Sequence, residues 1–274
     1  MPIEADIVVV TYNSEGVLRE NLAGLAALPE TRLIIVDNAS SDGSVRIARS
    51  HADILVENLR NKGFGSACNQ GAAEGTAEYL LFVNPDARLN PSALKALLSM
   101  ARQRPAAAAF NPVFLDPDGK PFLRGACLRS DASLARIGGS TREIDVLSGA
   151  TFLCRRTAFQ EIGGFDERIF LFFEDDDLSI RLRRAGWQLF QVGDAKVEHL
   201  VGRSSPTKFS TRLLKERAYA QAELYVSAKH GVSISRTSRI GRAMRRLLLA
   251  CLLFDRERIS RNLGRLQGYI AGPT

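Results

Sequence analysis

Polar and acidic side chains stand immediately after apolar runs at several points of this chain. Thr11, Tyr12 and Asn13 end DIVVV, Asp37 ends RLIIV, and Asn84-Pro85-Asp86 ends YLLFV. A carboxylate at Asp37 can accept a base N–H or a ribose hydroxyl; in DNASSDG it can equally open an Asx turn, and both readings stay open. Asp86, with Asn84 beside it, supplies hard oxygen suited to Mg²⁺ or Mn²⁺ on a diphosphate, although a lone Asp there also serves as a turn or cap residue. Asn61, Lys62 and Gly63 form a turn that lets backbone approach a ligand. Further on, Glu174-Asp175-Asp176-Asp177 sets four carboxylates at a helix start, where the helix dipole offsets their repulsion. Not all four can be caps, so one is available as a general base. Asp177 and Arg181, four residues apart, read as a structural pair. His199, one of 3 histidines, ends a strand and taken alone is more often a hydrogen-bonded core or surface residue than a ligand.

The elements that must position these groups alternate. Asp6 to Thr11 predicts a strand, Val17 to Leu28 a helix with Leu18, Leu22 and Leu25 on one face, Arg32 to Val36 a strand and Val45 to Ser50 a helix. Ile54 to Val56 follows as a strand. A Gly-bearing loop, NKGFGSACNQG, and a small-residue helix to about Gly75 come next, then the strand Tyr79 to Val83 and a helix opened by Pro91. Continuously apolar strands alternating with helices predict a doubly wound, mostly parallel α/β sheet covered on both faces, with ligands at the strands' carboxyl ends. From Pro112 to Arg142 the pattern breaks into turns. Val146 to Cys154 resumes as strand, Thr157 to Ile162 as a short helix, the acidic run opens a helix ended near Gly186, and Gln188 to Val192 and Lys196 to Leu200 are short strands.

Composition narrows the function class. With 274 residues, 45% hydrophobic and 24% charged, the chain can bury a large core. The longest apolar run, Leu247 to Phe254, is far short of the ~20 residues of a membrane span. MPIEAD shows no basic-then-apolar leader, so the sequence predicts a cytoplasmic protein. Cys68, Cys127, Cys154 and Cys251 are unevenly spaced and read as reduced core residues. Gly63-Phe64-Gly65 is no dinucleotide fingerprint, because Cys68 stands where the third glycine would fall and Asp37 precedes the loop. Charge is divided: residues 1–202 carry 22 basic and 26 acidic side chains, residues 203–274 carry 15 and 4.

VVVTYN, VDNASSDGS, NKGFGSACNQG, LLFVNPDA, LSGATFLCRR, GGFDE, FFEDDDLSIRLRRAGW and VEHL, in that order over residues 5–205, resemble the family 2 glycosyltransferases, and within them the bacterial rhamnosyltransferase-like branch. The resemblance implies a GT-A fold over residues 1–205, with a nucleotide-binding half (1–111) and an acceptor-binding half (112–205), and an inverting transfer from a nucleotide-sugar. It implies that Thr11, Tyr12, Asn13, Asp37, Asn61, Lys62, Gly63, Asn84 and Asp86 hold the nucleotide, and that Asp86 and His199 hold a divalent cation. By the same likeness Asp175 is the catalytic base with Glu174 beside it, and Gly149, Ala150 and Glu174 lie near donor sugar and acceptor. The sequence departs from the family pattern at Asn84, where the metal motif usually begins with Asp, at Phe172, where Tyr is common, and at Asp176, where an apolar residue is usual. Expected partners are a dTDP- or UDP-sugar, dTDP-rhamnose foremost, and a lipid-linked saccharide; a catalytically silent nucleotide-sugar-binding protein is the alternative.

Residues 206–274 read as a basic helical region, with helices over Arg212 to Ala228 and Ile240 to Phe254. Their one-sided charge predicts contact with anionic lipid on the cytoplasmic face of the inner membrane, against the alternative of docking on the enzyme or on another subunit. Nucleic acid is excluded as a partner by the scarcity of aromatic residues there and the absence of a reader motif. A nucleotidyltransferase would carry a Gly- and Lys-rich loop where Thr11-Tyr12-Asn13 stands.

Overall fold

The computed structural model describes residues 2–116, 118–122, 140–199 and 208–273. The chain divides into two compact units, Met1–Asp166 with Asp175–Ser205, and Glu167–Glu174 with Pro206–Thr274. Among the described residues the strands form one ten-stranded sheet in the first unit.

In chain order the first unit contains β1 (Ala5–Thr11), α1 (Glu15–Ala26), β2 (Thr31–Asp37), α2 (Ser44–Arg49), β3 (Ile54–Glu57), α3 (Phe64–Ala73), β4 (Tyr79–Val83), β5 (Ala87–Arg88) and α4 (Pro91–Gln103). Then come β6 (Ala107–Leu115), β7 (Pro121–Phe122), β8 (Arg142–Glu143), β9 (Thr151–Arg155), α5 (Arg156–Glu161), α6 (Glu174–Arg184, entered from the second unit at Glu174) and β10 (Gln188–His199). The sheet order is β3-β2-β1-β4-β9-β6-β10-β5, with β7 on β6 and β8 on β10. Strands β3, β2, β1 and β4 are parallel, as are β6 and β10, whereas β9 runs antiparallel to both β4 and β6. The fold is thus an α/β sheet, mixed and mostly parallel. One face buries Leu18, Leu22 and Leu97 against Ile7, Val9, Ile35 and Leu81; the other buries Phe82, Phe152, Phe159 and Phe165 in contact with one another.

Several boundaries differ from the sequence reading. The loop NKGFGSACNQG is helix from Phe64 on, because Gly63 makes the turn at φ 92° and the small residues Ala67, Cys68 and Ala72 let α3 lie close on the sheet. Strand β6 runs through Pro112, where turns were expected; the proline pairs with Val192 at the irregularity that interrupts β10, so its missing N–H falls at a bulge. For the same reason the two short strands expected over 188–200 are one bulged strand. The strand expected from Val146 begins only at Thr151. Cys68 and Cys154 are buried as expected, but Cys251 is exposed; Cys127 and most of the turn-rich stretch lie outside the described residues.

The second unit contains α7 (Phe209–His230), α8 (Arg236–Leu252) and α9 (Arg256–Ala271). The sequence reading did not foresee α9. Its Gly264 and Gly268 resemble helix breakers, yet a Cβ on them would come within 2.6 Å of the Leu213 carbonyl and 2.5 Å of the Arg217 carbonyl on α7. They are the points where the two backbones touch. Asp255 caps α9 by accepting from the Arg258 amide, and buried Glu223 receives the Tyr269 hydroxyl at 2.5 Å and pairs with Arg239 at 2.7 Å.

Candidate active site

At one edge of the sheet the ends of β1 and β2 are tied together. Thr11 and Asp37 are register partners, and the Thr11 hydroxyl donates to Asp37 Oδ1 at 2.8 Å while the Ser40 amide donates to Oδ2 at 2.8 Å. Asp37 therefore does open a turn, and it is buried. Asn13, at φ 52°, accepts from the Ser41 amide and hydroxyl and its own amide donates to Ser40. Tyr12 beside it is half-buried. The Asn61 turn is organised by Asn38, which the sequence reading passed over. Asn38 Nδ2 donates to Asn61 Oδ1 (2.9 Å) and to the Gly63 carbonyl (3.0 Å), and its Oδ1 accepts from the Lys62 amide (2.9 Å). The Lys62 side chain is exposed.

The second cluster begins just past β4. Asp86 is 1% exposed, and its Oδ1 lies 3.3 Å from His199 Nε2, brought there because β5 and β10 pair with Ala87 opposite His199. Asn21 on α1 donates to the Pro85 carbonyl at 2.5 Å and holds the turn. The Asn84 amide donates to the Ala150 carbonyl at 2.8 Å. One residue earlier the Gly149 amide donates to Asp175 Oδ2 at 3.0 Å, and the Asp176 amide donates to Oδ1 at 3.1 Å. The pair His199–Asp86, the hydrogen bonds Asn84–Ala150 and Gly149–Asp175, and the chain connections between Asn84 and Asp86 and between Gly149 and Ala150 thus link these residues. A Cβ on Gly149 would sit 3.4 Å from Asp175 Oδ2, so the glycine leaves that oxygen's flank open.

The turn 147–150 that joins the two carboxylates has its own supports, which sequence reading missed. Asn111 Nδ2 donates to the carbonyls of Ser148 (3.0 Å) and Thr151 (2.7 Å), and its Oδ1 accepts from the Ser148 amide (2.8 Å). Ser179 on α6 accepts from the Leu147 amide and donates to the Asp175 carbonyl. A single buried polar residue inside the apolar run AAAAFNPVF was the available signal for Asn111. Asp177 pairs with Arg181 at 2.8 Å, as its spacing predicted. Glu174 is buried and falls in the second unit.

Asp86 and His199 suit a divalent cation in part. Their separation is close to the ~3.0 Å between neighbouring donors on an octahedral ion with bonds near 2.1 Å. Among the described residues no group of three His, Cys, Asp or Glu side chains could hold an ion, so the pair fits a cation whose shell is completed by ligand oxygens and water.

A mostly parallel sheet with polar strand ends on one side, and carboxylates gathered there from distant segments, is the arrangement in which open α/β folds bind their ligands. The sequence profile of Glycosyl transferase family 2 matches residues 6–163, and the chain belongs to that family. It is a glycosyltransferase with the GT-A fold. It is 34% identical over 229 residues to the N-acetylglucosaminyl-diphospho-decaprenol L-rhamnosyltransferase of Mycobacterium tuberculosis, covering 70% of this chain and 75% of that protein. It is 26% identical to the dTDP-rhamnosyl transferase RfbF of Shigella flexneri over 72% of this chain and 69% of the relative. The mannosyltransferase PcManGT of Pyrobaculum calidifontis, solved with GDP-Man and Mn²⁺, superposes with a TM-score of 0.60 at 16% identity, covering 99% of this chain and 86% of that one.

Proposed function

We propose that this glycosyltransferase moves a rhamnosyl group from dTDP-rhamnose, with inversion, to a hydroxyl of a lipid-linked saccharide in cell-surface polysaccharide synthesis. The observation that carries the reading is the set of contacts His199–Asp86, Asn84–Ala150 and Gly149–Asp175, joined through the short segments 84–86 and 149–150. It ties a diphosphate-side carboxylate to a base-side carboxylate. The names of the two rhamnosyltransferase relatives support the sugar, the nucleotide and the lipid-linked acceptor.

In this reading Thr11, Tyr12, Asn13, Asp37, Asn61, Lys62 and Gly63 border the nucleoside, and Asn84 and Asp86 border the diphosphate. Asp86 and His199 would hold Mg²⁺ or Mn²⁺, which when bound offsets the charge developing on the departing diphosphate. The Asp175 carboxylate takes the proton from the acceptor hydroxyl. That oxygen then forms the new bond to the anomeric carbon as the bond to the diphosphate oxygen breaks and dTDP leaves. A single base is enough for one in-line displacement, and the Gly149 and Asp176 amides hold its two oxygens in place for it.

A thermal-shift panel of dTDP- and UDP-sugars with and without Mn²⁺ tests the reading, since a ligand of the folded state raises the melting temperature. The expected result is the largest rise with dTDP-rhamnose plus Mn²⁺, lost in Asp86→Ala. A larger rise with UDP-sugars would overturn the donor, and equal shifts with and without the cation would overturn the roles of Asp86 and His199.

A further inference from the structure

The second unit contains a surface that its own packing does not use. Helix α8 turns Ala243 and Ala250 inward, where Ala243 joins Ala220, Leu224 and Tyr269. Its other side leaves Met244, Leu248 and Leu252 in water, Leu248 at 65% and Leu252 at 75% exposure, and the stripe continues into Leu253 and Phe254, the last 87% exposed. Arg242, Arg245 and Arg246 flank it. Among the described residues these three enter no ion pair, whereas Arg239 is committed to Glu223 and Arg236 to the carbonyls of Tyr269 and Ile270. From Arg236 to Phe254 the helix has no acidic residue.

The end of α8 provides a second, independent observation. The Asp255 amide donates to the Ala250 carbonyl and the Phe254 amide to the Cys251 carbonyl, the paired bonds of a Schellman motif with Phe254 at its left-handed position. That position favours glycine, yet it holds a phenylalanine at φ 51° with its ring in water. Backbone strain and apolar exposure fall on the same residue, at the tip of the stripe.

We propose that this face of α8, from Met244 to Phe254 with Arg242, Arg245 and Arg246 at its border, docks on the surface of an anionic phospholipid bilayer. The leucines and Phe254 enter the headgroup–acyl boundary and the arginines meet lipid phosphates. The helix is too short and too charged to cross: among the described residues no helix qualifies as a span. The charge selects the bilayer over a second copy of this chain, since two copies pairing through the stripe would bring like arginines together. The proposal does not rest on which sugar is transferred; it requires only that the chain be held where lipid-linked molecules are.

Flotation of the full chain with vesicles, free of donor and acceptor, tests it separately from the transfer reaction. The expected result is binding to phosphatidylcholine vesicles containing phosphatidylglycerol, weak binding to phosphatidylcholine alone, and a loss of about fivefold for each of Arg245→Gln and Arg246→Gln. Leu252→Glu with Phe254→Glu should weaken binding at least ~10-fold with an unchanged circular dichroism spectrum. Phe254→Gly separates docking from folding: it should raise the melting temperature by about 2–4 °C, by relieving the left-handed strain, while lowering vesicle affinity. Equal binding to both vesicle types, or wild-type binding by the Leu252 and Phe254 variants, would overturn the proposal. So would a dimer in solution that these substitutions dissociate while the wild type ignores vesicles.

Discussion

Asp6, at the start of β1, and Asp86, just past the end of β4, are both buried, at opposite edges of the parallel part of the sheet. Asp6 is answered by two guanidinium groups, Arg156 Nη2 at 2.6 Å and Arg32 Nε at 3.5 Å, and by the Ala77 amide at 2.8 Å. Arg156 is fixed in turn by the carbonyls of Ala77 and Ala72. Asp86 faces an imidazole, and Asp175 takes two amide hydrogens. A guanidinium brings a full positive charge and a fixed fork of donors, whereas a backbone amide brings no net charge. One edge of the sheet therefore uses its buried carboxylate to hold β1, β4 and α5 together, and at the other Asp86 and Asp175 meet an imidazole and backbone amides instead.

Removing Asp6 has the largest expected effect. Asp6→Ala leaves the Arg156 guanidinium buried without its counterion and should cost about 3–5 kcal/mol, a fall of roughly 6–20 °C in melting temperature by calorimetry. Asp86→Ala should shift the melting temperature by no more than ~2 °C. A reversal of that order would show that the two edges do not differ in the way described.

Asn111→Ala removes the support of the turn between Asp86 and Asp175. Steady-state kinetics should show turnover reduced roughly 10- to 100-fold with the donor KM little changed, the signature of a displaced base rather than a lost binding group. A raised donor KM at unchanged turnover would instead assign the turn to donor binding.

The smallest effect lies between the edges. Cys154 pairs with Leu80 and Ala109 in mid-sheet, and burial pushes its thiol up to about 12, with Arg155 acting in the opposite direction. The folded state keeps this proton after the unfolded chain has lost it, so its contribution to stability is complete below about pH 9 and declines as pH rises toward 12. At pH 8 iodoacetamide should modify exposed Cys251 and leave Cys154 untouched, read by peptide mass mapping.

What the sequence made legible follows from the period of its apolar residues. The runs DIVVV, RLIIV and YLLFV cannot be anything but buried strands when helical patterns separate them, and the polar residues after them must then share an edge. Thr11, Asp37 and Asp86 were found in this way. Asn38 and Asn111 were not, because an asparagine's importance lies in the three or four polar groups it faces, and those come from segments up to 40 residues away. Strand β6 was hidden by Pro112, which reads as a breaker unless the bulge in β10 is known. Helix α9 was hidden by Gly264 and Gly268, whose purpose is visible only with α7 against them. The antiparallel insertion of β9 has no local signal either, since VLSGATFLC reads as one strand while only Thr151 onward is paired.

Asp175→Asn, measured for both turnover and dTDP affinity, shows whether Asp175 is the base on the acceptor side of the site. The carboxamide nearly preserves the shape of the side chain and can still accept the Gly149 amide, but it cannot take a proton. Turnover should fall by more than ~100-fold while dTDP binds as tightly as to the wild type. Wild-type turnover in this variant, or a loss of nucleotide affinity equal to the loss of rate, would contradict the assignment.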